Sequence, residues 1–159
     1  SATYHRFYWA PRWETAWRRM DHSNIFLLIA GTYTPLTIAL LNRSDATILL
    51  SVVWAGTSAG ILLSLFWPTA PRWLSTLVYV ALGWVAVWYL PQLWAGGGPA
   101  VVWLIVAGGL LYTVGALVYG LKKPDPSPTW FGFHEIFHAF TVAAWACHCV
   151  AVYLAVLGG

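Results

Sequence analysis

His134-Glu135-Ile136-Phe137-His138 opens the last strongly apolar segment of a chain that almost excludes charge from such segments. Two histidines four residues apart on a helix lie about 40° apart around its axis, so both imidazoles can reach one metal ion. Ionisable groups inside a membrane span are costly to bury, so their presence there points to use. The surroundings make the segment a span. Of 159 residues, 60% are hydrophobic and 8% are charged, against roughly 25% charged in a soluble domain. So much apolar surface is buried compactly only as an all-α bundle of transmembrane helices.

Working outward from that segment, five apolar stretches approach the roughly 20 helical residues that cross a hydrocarbon core. They lie near Asn24 to Leu41, Ala46 to Trp67, Leu74 to Leu90, Pro99 to Gly120 and His134 to Leu157. Between them stand Asn42-Arg43-Ser44-Asp45, Pro68 to Arg72, Pro91 to Gly98 and Leu121 to Phe133, all rich in turn residues. These intervals are too short for separate domains, so residues 1–159 read as one integral membrane domain. Alternating the spans puts Arg12, Arg18, Arg19, Arg72, Lys122 and Lys123 on one side and Arg43 on the other. Basic residues gather in cytoplasmic loops, which puts His134 near the cytoplasmic edge and the C-terminus outside; the expected location is the plasma (inner) membrane. The net charge of +3 lies between spans and carries topology, so nucleic acid is not an expected partner. Ser1 to Trp9 reads as the cytoplasmic end of an earlier helix, and Trp13 to Arg19 as a basic, aromatic interfacial connector.

His5, His134 and His138 are the candidate nitrogen ligands, and with Asp21 they fall toward the same side. Neutral imidazole suits zinc, and a catalytic zinc keeps three protein ligands and an open position for water. Bound zinc acidifies that water enough to supply hydroxide near neutral pH. Asp21 either caps the helix that begins Asp21-His22-Ser23-Asn24 or orients the water and takes its proton. His5 could instead be an interfacial histidine. His148 lies deeper, ten residues beyond His138, and reads as a hydrogen-bonded packing residue. Trp67, Trp73, Trp94 and Trp130 sit at span ends, where an aromatic belt is expected. Cys147 and Cys149 read as small apolar fillers.

Glu135 also completes a His-Glu-x-x-His pattern, in which the carboxylate serves as the general base of a zinc protease. Intramembrane zinc proteases carry a distal Asp-Gly ligand motif, and this chain has no Asp-Gly pair. Glu135 points about 100° away from His134 on the helix and equally suits a capping role. Gly56-Thr57-Ser58-Ala59-Gly60 is a Gly-x-x-x-Gly pattern that favours close helix approach, within the bundle or in a homo-oligomer.

Together, Ser1-Ala2-Thr3-Tyr4-His5-Arg6, Asp21 through Pro35, and His134 through His138 followed by His148 resemble the bacterial hemolysin III proteins. More distantly they resemble the progestin and adipoQ receptors, which include the adiponectin receptors, in a superfamily with the alkaline ceramidases. The resemblance implies seven spans, a cytoplasmic N-terminus and a zinc ion held by three histidines near the cytoplasmic side. It places those ligands at His5, His134 and His138, with Ser1 and Asp21 beside the metal. Against seven spans the chain departs by lacking the first and most of the second. The reading this supports is a zinc-dependent membrane hydrolase cleaving a lipid amide that enters from the bilayer. Two further classes share the ligands: a membrane-perturbing cytolysin or channel, for which the spans hold few polar residues, and a receptor-like lipid sensor with structural zinc.

Overall fold

The structure, a computed structural model, describes residues 10–67, 70–127 and 130–157, without the side chains of Pro11, Arg12, Glu14, Thr15, Arg18, His22 and Arg72. Among the described residues five α-helices carry the fold: α1 (Pro11–Leu40), α2 (Arg43–Phe66), α3 (Arg72–Gly83), α4 (Leu90–Leu121) and α5 (Phe133–Leu157), with a short 3-10 helix at Val85–Tyr89 between α3 and α4. No strand occurs among the described residues. The sole sheet-like contact they show is an isolated bridge between Ser127 and Phe131.

Among the described residues four stretches are long and apolar enough to cross a membrane, and Trp73–Leu121 among them runs for 49 residues. That is about twice what one crossing needs, and the chain turns back within it at Gly98. There φ is 73° and ψ is −179°, a conformation open to glycine and closed to residues with a Cβ. Packing on either side fits the reversal. Trp84 Nε1 donates to Thr113 Oγ1 at 2.9 Å, and a Cβ on Gly120 would touch Thr76 at 3.8 Å, so the facing pairs bracket Gly98. Thus α3 with its 3-10 extension runs one way and the part of α4 after Gly98 runs back. Pro91 to Gly98 is therefore helical as far as the kink, with Pro91 in the first turn, where its missing N–H costs nothing.

The first long helix likewise extends beyond its apolar run. α1 starts at Pro11, so the basic, aromatic stretch expected as a separate connector continues the helix. Asp21 lies in the body of α1 and does not cap it. α2 has the orderly start: Asn42 Oδ1 accepts from the Asp45 N–H at 3.0 Å, and its Nδ2 donates to Asp45 Oδ2 at 2.7 Å, a cap that contributes about 1 kcal/mol.

α1 is the centre of the bundle and contacts each of the other four helices. Its buried residues Phe26, Ile29, Ala30 and Leu36 feed three apolar clusters, against Leu49 and Val53 of α2, Leu82 of α3, Val101 and Val102 of α4 and Ala151 of α5. Small residues permit the approach. A Cβ on Gly60 would overlap the Phe26 ring and one on Gly56 would stand 2.8 Å from Leu82, so both glycines of the Gly-x-x-x-Gly pattern face neighbours in this bundle. The Tyr33 hydroxyl of α1 donates to the Gly83 carbonyl at 2.7 Å and accepts from the Ala86 N–H at 3.0 Å. It thereby satisfies backbone groups freed where α3 gives way to the 3-10 helix. Away from these contacts Val142, Trp145, Val150 and Tyr153 of α5 are exposed, an outward apolar face suited to lipid.

Candidate metal centre

α5 begins with its own cap. Gly132 N–H donates to Glu135 Oε2 at 2.9 Å, the reach-back of a carboxylate in the first turn to the residue before the helix. Asp125 Oδ1 accepts from Phe133 N–H at 3.1 Å and ties the preceding loop to the same turn. Glu135 is therefore occupied at the helix start and exposed. His134 and His138 project from another face.

His134 Nε2 and His138 Nε2 lie 3.0 Å apart, with the rings edge to face and centroids 4.6 Å apart. Two imidazole nitrogens at roughly 2.0–2.1 Å from a tetrahedral zinc stand about 3.3 Å apart. The pair fits one metal ion with a small adjustment, and without metal one ring donates to the other. Both rings border a cleft of about 230 Å³, whose lining also includes Asp21 and Asn24 of α1, Tyr119 of α4 and Thr141 of α5. Asp21, expected at this centre, is thus brought there by the parallel packing of α1 against α5. All three of Asp21, His134 and His138 are half-buried.

Among the described residues, no group of three or more His, Cys, Asp or Glu side chains is placed to hold a metal ion. The described part supplies two imidazoles and a nearby carboxylate. His5 and Ser1, the remaining expected members, lie outside the described residues.

Tyr119 is the member that sequence reasoning missed. Its ring centroid lies 6.1 Å from that of His134 and 5.0 Å from that of Phe137, so it walls the cleft from α4. The available signal was depth. Tyr119 ends one span on the side where His134 begins the next, and the antiparallel pair must meet there.

His148 takes no part in this cleft. Its Nε2 donates to the Ile105 carbonyl at 3.3 Å, its ring rests against Tyr112 with centroids 5.6 Å apart, and a Cβ on Gly108 would collide with it. Cys147 and Cys149 are free thiols.

Known proteins place this chain in a family. A family model described as Haemolysin-III related matches residues 1–149. A hemolysin-3 homolog of Bacillus subtilis (strain 168) is 36% identical over 136 residues, covering 84% of this chain and 61% of the relative. Hemolysin-3 of Bacillus cereus is 32% identical over 146 residues, covering 91% of this chain and 64% of the relative. The chain therefore spans less than two thirds of the length of either relative. No solved structure matches it. A membrane-spanning helical bundle with this match across most of its length belongs to the haemolysin III-related family.

Proposed function

We propose that this multi-pass membrane protein is a zinc-dependent hydrolase acting on a lipid amide. The observation that carries the reading is the convergence of Asp21 with the His134/His138 pair on one cleft, the two Nε2 atoms being 3.0 Å apart. His134, His138 and His5 would hold the metal, with Ser1 beside it. Zinc, when bound, would polarise a substrate carbonyl and lower the cost of making hydroxide near neutral pH. Asp21 faces the pair from α1, where its carboxylate can accept the proton from the attacking water and return one to the leaving amine. Tyr119 and Phe137 supply apolar walls against which a lipid substrate can rest. Glu135 is left out of the mechanism because its carboxylate is engaged by the Gly132 N–H, which also weighs against an intramembrane protease.

The proposed side of the membrane is read from charge. Arg19 on the N-terminal part of α1, the start of α3 at Arg72, and Lys122 and Lys123 after α4 gather at the cleft end of the bundle, while Arg43 starts α2 at the other. That distribution supports a cytoplasmic cleft and an outward C-terminus in the plasma membrane.

A second reading is favoured by the relatives' name, hemolysin-3: a membrane-perturbing protein in which zinc fastens helices together. A zinc-stabilised lipid sensor shares its ligands, and neither needs Asp21 for chemistry. The test is metal content and lipid-amide turnover of the purified protein beside a His134→Ala/His138→Ala variant and an Asp21→Ala variant. About one zinc per chain, lost in the double variant, with turnover lost in a metal-loaded Asp21→Ala protein, supports the hydrolase. Absence of zinc from the intact protein after supply during purification, or turnover retained without Asp21, removes it.

A further inference from the structure

Beside the cleft lies an inner cavity of about 60 Å³ between α1, α3, α4 and α5. Ile25, Phe137 and Thr141 border both spaces, so the cavity adjoins the candidate metal centre. Its walls are mainly apolar, yet Tyr112 and His148 line it, and the Tyr112 hydroxyl and His148 Nδ1 are both buried without a hydrogen-bond partner among the described residues. A buried hydroxyl or ring nitrogen left unpaired costs roughly 1–3 kcal/mol, and two such groups on one cavity call for an occupant.

We infer that this cavity is a water-binding site, in which ordered water bridges the Tyr112 hydroxyl and His148 Nδ1. Size allows it, since a void of about 10–15 Å³ admits one water. The hydrogen-bond inventory matches as well. The Ile105 carbonyl only accepts, so His148 carries its proton on Nε2, and the neutral ring presents Nδ1 as an acceptor. Water donates there and accepts from the Tyr112 hydroxyl. Its second hydrogen has the hydroxyl oxygens of Thr32 and Thr141 available, because each already donates its own proton, to the Ile29 carbonyl at 2.8 Å and the Phe137 carbonyl at 2.9 Å. That makes the two to four polar partners a buried water requires. Next to a hydrolytic centre within a bilayer, such water is a local store of the co-substrate. This last consequence rests on the hydrolase reading, whereas occupancy of the cavity does not.

Hydroxyl-radical footprinting by X-ray radiolysis, read by mass spectrometry on the protein in lipid nanodiscs, tests it, because radicals form from water held against a side chain. After correction for intrinsic reactivity, Tyr112 and His148 are expected to label at least several-fold faster than Phe26, which is fully buried, and Trp145, which is exposed on the outward apolar face of α5 suited to lipid. Tyr112→Phe is expected to slow labelling of His148 several-fold. Labelling of Tyr112 and His148 at the rate of Phe26 and Trp145 shows a dry cavity and overturns the inference. So does unchanged His148 labelling in a folded Tyr112→Phe protein. The comparison within the unmodified protein stands even where the variant fails to fold. A dry cavity in a protein that still holds zinc leaves the hydrolase proposal intact, and loss of zinc binding with a wet cavity does the reverse.

Discussion

His134 and His138 at the start of α5 and His148 further along it are the same side chain on one helix in opposite circumstances. The first two turn their Nε2 atoms toward each other beside a cleft of about 230 Å³ with a carboxylate on its wall. The third turns Nε2 onto the Ile105 carbonyl, in a gap left by the missing side chain of Gly108. A metal ligand needs a ring nitrogen beside a second donor group at the edge of open space, and the neighbouring helices decide whether it has both. Near His134, α4 presents Tyr119 and α1 presents Asp21, which wall the cleft and leave it open. Near His148, α4 presents glycine and a carbonyl, which close on Nε2 and leave Nδ1 without a second donor group beside it among the described residues. The difference lies in the partners, and the helix carrying all three is regular throughout.

The sharpest way to break this contrast is to remove the pair. His134→Ala/His138→Ala is expected to lose essentially all bound zinc, measured by elemental analysis, whereas His148→Gln keeps it. Equal zinc loss from both variants would erase the distinction between the two environments. Next in size, Asp21→Asn is expected to keep zinc while lowering lipid-amide turnover by about 10²–10⁴-fold, the usual contribution of a positioned acid or base.

Packing effects come below these. Gly60→Val forces a branched side chain into the Phe26 ring, and Gly108→Ala drives a methyl into His148. Each is expected to destabilise the bundle by about 1–3 kcal/mol, read as a lowered unfolding midpoint in detergent. Gly108→Ala should leave zinc content unchanged, because it displaces the imidazole that has no part in the metal centre. The smallest effect is expected from Glu135→Ala, which removes a helix cap worth about 0.5–2 kcal/mol and spares turnover. Abolished turnover in a zinc-loaded, folded Glu135→Ala protein would restore the protease reading.

The all-helical membrane class was legible because hydrophobic runs and their punctuators depend only on local composition, and the family was legible because its polar motifs survive as short strings. Gly98 stood at the end of an expected loop, and its turn is indeed where the chain reverses, but the helicity of Pro91 to Gly97 was hidden by a proline that a helix tolerates in its first turn. Asp21 resembled a cap because Asp-x-Ser-Asn is a common helix start, yet Trp13, Ala16, Trp17 and Met20 repeat at i, i+3, i+4 and i+7, so the continuation of the helix was legible there and was masked only by the basic residues that read as an interfacial connector. Tyr119 carried no motif at all.

From the order of its residues alone, this protein is a bundle of membrane helices with a His-x-x-x-His pair on one helical face, since hydropathy and the helical repeat need no knowledge of neighbours. Only the tertiary structure decided that Asp21 meets that pair, that Gly56 and Gly60 are filled from within, and that His148 is held against α4. Each of these depends on which helices lie side by side and at what register. Lipid provides no hydrophobic push between helices, so close packing and a few hydrogen bonds between residues far apart in the chain make that choice.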